Sequence, residues 1–246
     1  MPMICDRIVM WRAAAALTAV VATMLAVSGS ARAASGVDTG LRAIPRSSRE
    51  LIVVTAPRAS ATAGTLTAEV RSAPGARWRR VLGPWRAELG RHGLSAHRRE
   101  GDGTTPLGIF AIGPIVYGNA PRPRGLGERY RRLGCGDWWD EDPQSALYNR
   151  FVVVPCGVTP GFAAGSEALW TETVAYPYFA VIEFNAHPIR RGRGAPGSGI
   201  FVHSWVDAPT AGCVAIHRSQ LLSLLGWLAP SRRPVIAISV NDNLLG

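Results

Sequence analysis

The chain contains no lysine; all 27 of its basic residues are arginine. Its four cysteines are not paired at zinc-site spacing, and no His-Glu-x-x-His run is present. Phosphate-loop and dinucleotide fingerprints are also missing. Gly101-Asp102-Gly103 has the spacing of neither, so those nucleotide-binding classes are excluded. No internal repeat is visible, and no apolar run reaches the roughly 20 residues of a spanning helix. Charged residues make up only 18% against 47% hydrophobic, the balance of a globular domain and not of a disordered chain.

What is present begins with a leader. Arg7 and Arg12 precede an uncharged apolar stretch from Ala13 to Val27, and Ala31-Arg32-Ala33 offers a small-x-small cleavage site. Residues 1–33 are expected to be a signal peptide cut after Ala33, with a retained membrane anchor as the alternative. No cysteine stands at the cleavage point to carry a lipid. A secreted or cell-wall location follows.

Export changes how the thiols count. Cys5 leaves with the leader, and an odd number remains in an oxidising compartment. Cys135 and Cys156 sit at turn-like edges, in Leu-Gly-Cys-Gly and Val-Pro-Cys-Gly, and are expected to pair. Closing a loop of that length is worth about 3 kcal/mol in the chain-entropy model. Cys213 is then the unpaired thiol, although pairing of Cys213 with Cys135 or with Cys156 stays open.

The net charge of +10 falls to +8 once Arg7, Arg12, Arg32 and Asp6 are removed. Outside the membrane, an anionic cell-wall polymer or lipid surface suits that charge better than nucleic acid. Solvated arginines from a biased genome explain the charge equally well.

Residues 34–50 read as a flexible lead-in. Short strands follow at Leu51–Thr55, Leu66–Val70, in pieces from Trp78 to Leu89, at Ile109–Ile112, Phe151–Pro155, Tyr178–Asn185, Ile200–Trp205 and Val235–Val240. Residues 117–148, rich in Pro, Gly and Arg, read as a long inserted loop pinned by the proposed disulfide. One helix is expected from Ser219 to Leu228, capped by Ser219, with Leu221, Leu222, Leu225 and Leu228 on one face and Pro230 ending it. The fold class is mainly β, a sandwich or barrel-like mixed sheet with one or two short helices. Residues 51–246 are expected to form one domain.

The chemistry concentrates near the end. His203 lies in Ile200-Phe-Val-His-Ser-Trp, and Cys213 in Thr210-Ala-Gly-Cys-Val-Ala-Ile, ten positions on. Two neighbouring strands would bring imidazole and thiol together, and a histidine beside a cysteine is the simplest source of a thiolate nucleophile. Three other readings compete. Cys213 is a small buried hydrophobe; His203, Cys213 and His217 are zinc ligands; or the Arg clusters bind nucleic acid. His92, His97 and His187 carry no such context, and Asp102 reads as a turn former.

These residues resemble the signature of L,D-transpeptidases with the YkuD-type catalytic domain, in which a His opens the motif and a Ser/Thr-His-Gly-Cys segment carries the nucleophile. Arg99-Glu-Gly-Asp-Gly-Thr-Thr-Pro106-Leu-Gly108 is similar to an earlier turn of the same family, in the expected order. The resemblance covers about Leu51 to Val240. Ala211 stands where many members have His, the His-to-Cys spacing is shorter, and Ala215 replaces a frequent Asn or Arg.

The resemblance implies a YkuD-like fold and a cysteine acyltransferase acting on peptidoglycan stem peptides through an acyl-enzyme on Cys213. His203 would be the sole base, and cross-links would form between third residues. It further implies that the Ser204 carbonyl orients His203, and that backbone N–H groups at Gly212 and Cys213 hold the oxyanion. Sensitivity to carbapenems is implied too. Thr210, Trp138 and Trp139 are candidates for the substrate groove, though the tryptophans serve equally well as loop packing. No metal or organic cofactor is expected, nor a nucleic-acid partner, and the protein is expected to be a monomer. An L,D-carboxypeptidase using the same pair, or a non-catalytic wall-binding domain, remains an alternative.

Overall fold

The computed structural model describes residues 44–163 and 165–241; the expected leader and most of the lead-in lie outside the described residues. In chain order the strands are β1 (Glu50–Ala56), β2 (Ala63–Val70), β3 (Arg79–Glu88), β4 (Leu94–Ser95), β5 (Thr105–Pro106), β6 (Gly108–Gly118), β7 (Arg129–Arg132), β8 (Asp137–Asp140), β9 (Arg150–Val153), β10 (Glu167–Ala168), β11 (Phe179–Ile182), β12 (Phe201–Ser204), β13 (Val214–Ile216) and β14 (Val235–Val240). Helix α1 (Arg218–Trp227) and a 3₁₀ turn at Pro230–Arg232 separate β13 from β14.

Eight strands close into a ring. The order β11-β12-β13-β3-β2-β1-β14-β6 returns to β11 through a β11–β6 pairing, and β7 adds to β6 outside the ring. Of the two expected architectures, the barrel holds. β1 and β14 run parallel with Leu51 opposite Val235, and both strands are buried on two faces. This accounts for their unbroken apolar sequences, which lack the alternation of a half-exposed strand. Ile52, Val54, Ile236 and Ile238 pack in the main core with Leu66, Val202 and Val214. The opposite faces place Leu51, Val235 and Ala237 against Ile44, with Trp78 alongside. Ile44 and Ser48 are buried, so the final part of the expected flexible lead-in is packed on the domain.

Helix α1 joins the main core through Leu221, Leu224 and Leu225. Its start corrects the sequence expectation: His217 occupies the N-cap, no side chain caps the helix, and Ser219 lies within its first turn. Leu224 takes the buried position expected of Leu222, which is only half-buried. β3 also differs, running unbroken through Gly83-Pro84 where short pieces were expected. The irregularity is absorbed by register shifts against β2 around Ala68.

The expected loop at 117–148 carries structure of its own. β7 lies in it, and β8 is the middle strand of a second sheet of order β10-β8-β9. Cys135 and Cys156 are disulfide-bonded with Cα atoms 5.2 Å apart, joining the approach to β8 to the exit of β9. An aromatic layer, including Tyr117, Trp139, Tyr176, Phe179 and Phe201, packs this small sheet on the ring, and Cys213 is embedded in it.

Candidate active site

β12 alternates across the ring wall. Val202 points into the main core, whereas Phe201 and His203 project toward the aromatic layer. β13 runs parallel beside it with Val202 opposite Val214 and His203 opposite Ala215. Cys213, one residue ahead of Val214, therefore emerges on the same face as His203, offset along the strands. Both side chains line one cavity of about 280 Å³.

The imidazole is fixed in two ways. Nδ1 lies 2.8 Å from the Ser204 carbonyl; a carbonyl only accepts, so Nδ1 carries the proton and Nε2 is left as an acceptor. Tyr176 packs edge-on to the ring at 5.4 Å. Burial pushes the His203 pKa down to about 4, against the carbonyls of Ser204 and Ala175, which favour the protonated ring. The imidazole is neutral near pH 7.

Cys213 is 7% exposed and is the one free cysteine among the described residues. Its thiol donates to the Gly199 carbonyl and accepts from the Phe201 N–H, each at 3.3 Å. Burial raises its pKa well above the usual thiol range. Glu167 and Glu141 add to the rise; the Phe201 N–H and Arg98 oppose it. Burial thus disfavours charge on both members of the pair.

The turn before the thiol is organised by Thr210. Its Oγ1 donates to the Cys213 carbonyl at 2.8 Å and accepts the Gly212 N–H at 3.0 Å. Thr210 also pairs with the chain at Gly90. Gly212 adopts φ +141°, and a Cβ there would stand 2.7 Å from the Thr104 carbonyl, so only glycine fits. Its N–H is already spoken for, which weakens the expected oxyanion role of that group.

The family model of the L,D-transpeptidase catalytic domain, YkuD, matches residues 74–236. The chain belongs to this family. Neither curated proteins nor solved structures gave a match.

Within this L,D-transpeptidase domain the two motifs meet. Asp102 accepts the N–H of Arg99 at 2.7 Å and of Thr104 at 2.9 Å. Burial acts to raise its carboxyl pKa, but these N–H groups, the Thr104 hydroxyl and Arg98 prevail and hold it below the usual range. Asp102 is a turn former, as its sequence context suggested. Thr104, in the same turn, packs its carbonyl against Gly212.

The tryptophans are placed elsewhere. Trp139 donates from Nε1 to Asn149 Oδ1 at 3.0 Å and packs edge-on to Phe201. Trp138 packs against Phe162 and Trp170. Neither lines the cysteine's cavity, although Trp139 packs in the same aromatic layer as Cys213 and lines a second cavity of about 310 Å³. His217 packs edge-on against Trp205 at the helix start and does not line the cavity. Among the described residues no group of three or more His, Cys, Asp or Glu is arranged to hold a metal.

The sequence reading missed an acidic wall. Glu100, Glu141 and Glu167 all line the cavity. Glu100 accepts from the Tyr148 hydroxyl and, at 2.6 Å, from Ser198. Both Glu167 oxygens accept from the Tyr176 hydroxyl, at 2.8 and 2.9 Å. Burial, then the neighbouring carboxylates, pushes Glu141 upward, and burial does the same to Glu167. The one available signal was Glu141 two positions after the flagged Trp138-Trp139 pair; the acid, not the indoles, lines the cavity.

Proposed function

We propose that the protein is an exported L,D-transpeptidase that acts on peptidoglycan stem peptides through an acyl-enzyme on Cys213. The observation that carries this reading is the shared cavity: a buried free thiol and a histidine of fixed tautomer, on adjacent parallel strands of a domain of this family. Among the described residues no helix is long and apolar enough to cross a membrane. The cystine at Cys135–Cys156 fits an oxidising compartment.

With both groups uncharged at rest, attack and deprotonation belong to one event. The thiol proton passes to His203 Nε2 while sulfur bonds to the carbonyl carbon of the third stem residue, and the carbonyl electron pair moves to oxygen. Ser204 steadies the imidazolium through Nδ1–H. Collapse expels the terminal D-Ala amine, which takes the proton from Nε2. The amine of a second stem then attacks the thioester, returning the sulfur to its thiol state and leaving a cross-link between third residues. The net positive charge suits residence against an anionic wall polymer.

Intact-mass spectrometry of the mature chain with stem tetrapeptides tests the reading. A thioester adduct and a dimeric peptide product are expected, both absent in Cys213→Ala, together with a carbapenem adduct at the same residue. Released tripeptide without dimer would reassign the enzyme as a carboxypeptidase. Absence of any adduct on a thiol that alkylates normally would sink the catalytic reading.

A further inference from the structure

Arg98 is the most anomalous charge in the domain. Its side chain is only 3% exposed, and neither Nε nor Nη1 has a hydrogen-bond partner. The nearest carboxylate oxygen, Asp102 Oδ1, lies 3.5 Å from Nε but already accepts the Thr104 N–H and hydroxyl at 2.9 and 2.8 Å. A buried guanidinium with unmade hydrogen bonds is costly to keep, and such a group needs an explanation in function or in strain.

The fold makes room for this group beside the nucleophile. A Cβ on Gly197 would stand 2.7 Å from Nη1, and one on Gly212 would stand 3.2 Å from Nη2. Two glycines thus let the guanidinium pass under the turn that presents Cys213. Arg98 lines the same cavity as Cys213 and His203. It is also a cation in a cavity lined by Glu100, Glu141 and Glu167, of which Glu167 and Glu141 disfavour negative charge at the sulfur. Finally, the Gly212 N–H is committed to Thr210 Oγ1, so the oxyanion lacks one of its expected donors.

We propose that Arg98 is a catalytic residue whose guanidinium holds the negative charge that develops at Cys213, first on sulfur and then on the oxygen of the tetrahedral adduct. This rests on the acyl-enzyme reading above. Arg98 neither gives nor takes a proton in the step: the thiol proton still goes to His203, and the guanidinium supplies charge and N–H donors that the backbone turn does not.

The test uses the full mature chain, with iodoacetamide as a neutral probe of the thiol and stem tetrapeptides ending in a free carboxylate or an amide. In Arg98→Gln the pH profile of the Cys213 alkylation rate is expected to shift upward, seen as a roughly tenfold or greater fall in rate at any fixed pH on its rising limb. The rate of acylation is expected to fall by roughly 10²-fold with little change in KM. Arg98→Lys should recover part of both. An alkylation profile that does not move in Arg98→Gln overturns the proposal. A rise in KM confined to the free-carboxylate peptide, with the profile unmoved, overturns it too and makes Arg98 a reader of the substrate's terminus. Should Arg98→Gln not fold by circular dichroism, Arg98→Met is read in its place, with Arg98→Lys as the charge-keeping comparison. If wild-type thiol alkylates but never acylates, the transpeptidase reading fails while the alkylation comparison still decides the charge role of Arg98.

Discussion

At the scale of single residues, burial disfavours charge on both groups proposed to carry the chemistry, and this sets the expected pH behaviour. The His203 pKa of about 4 lies below the unfolded value near 6.5. Between those limits the unfolded chain takes up a proton that the folded site refuses, so this residue's contribution to stability is full above the window and falls as pH drops through it. The same pKa predicts that the acid limb of kcat/KM for acylation falls near pH 4–5 and not near 6.5; a pH–rate profile checks it. Cys213 and His203 were legible because their neighbours form a motif. Arg98 and Glu141 were not, since forty-three positions separate them and only closure of the ring places them on one cavity.

Among the elements, the small sheet of β8, β9 and β10 decides the shape of the site. Glu141 directly follows β8 and Glu167 opens β10, so this sheet delivers two of the three acids. The cystine between Cys135 and Cys156 ties the approach to β8 to the exit of β9. Replacing both cysteines by serine is expected to destabilise the domain by about 3 kcal/mol, seen as a lower midpoint in denaturant unfolding. Cys213 should stay unmodified in that variant. Sequence patterning exposed β1 and β14 through apolar β-branched runs, which mark buried strands, and β2 through the alternation of a half-buried one. It hid β8, whose Asp-Trp-Trp-Asp segment has neither alternation nor a β-branched run. Both faces of that strand are packed, so both tryptophans are needed. The helix was found but its cap was misassigned, since an α-helix can start at an uncapped His217 once Leu221 and Leu224 anchor it in the core.

For the whole molecule, a second buried acid pair, Glu50 and Glu128, lies apart from the cysteine's cavity. Glu50, at the start of β1, accepts the Ala229 N–H at 2.8 Å and faces Arg232 at 3.2 Å. Glu128, just before β7, is 1% exposed and its carboxyl oxygens find no partner. Burial, with the nearby Glu50, pushes its pKa up to about 7. The folded protein therefore keeps a proton that the unfolded chain loses from about pH 4.5 upward, and stability declines as pH rises through that window toward 7. Glu128→Gln removes the penalty. A thermal unfolding series should show it more stable than wild type at pH 8 by on the order of 2 kcal/mol, with no difference near pH 4.

The ring order also dictates when the domain can exist at all. β14 sits between β1 and β6, yet its residues come some 180 positions after β1 in the chain. Any growing or translocating chain that has not yet delivered Val235–Val240 holds two open strand edges with a vacant place between them. The barrel then snaps shut in a late, long-range step, and until then β1 and β6 are open to partners from other chains.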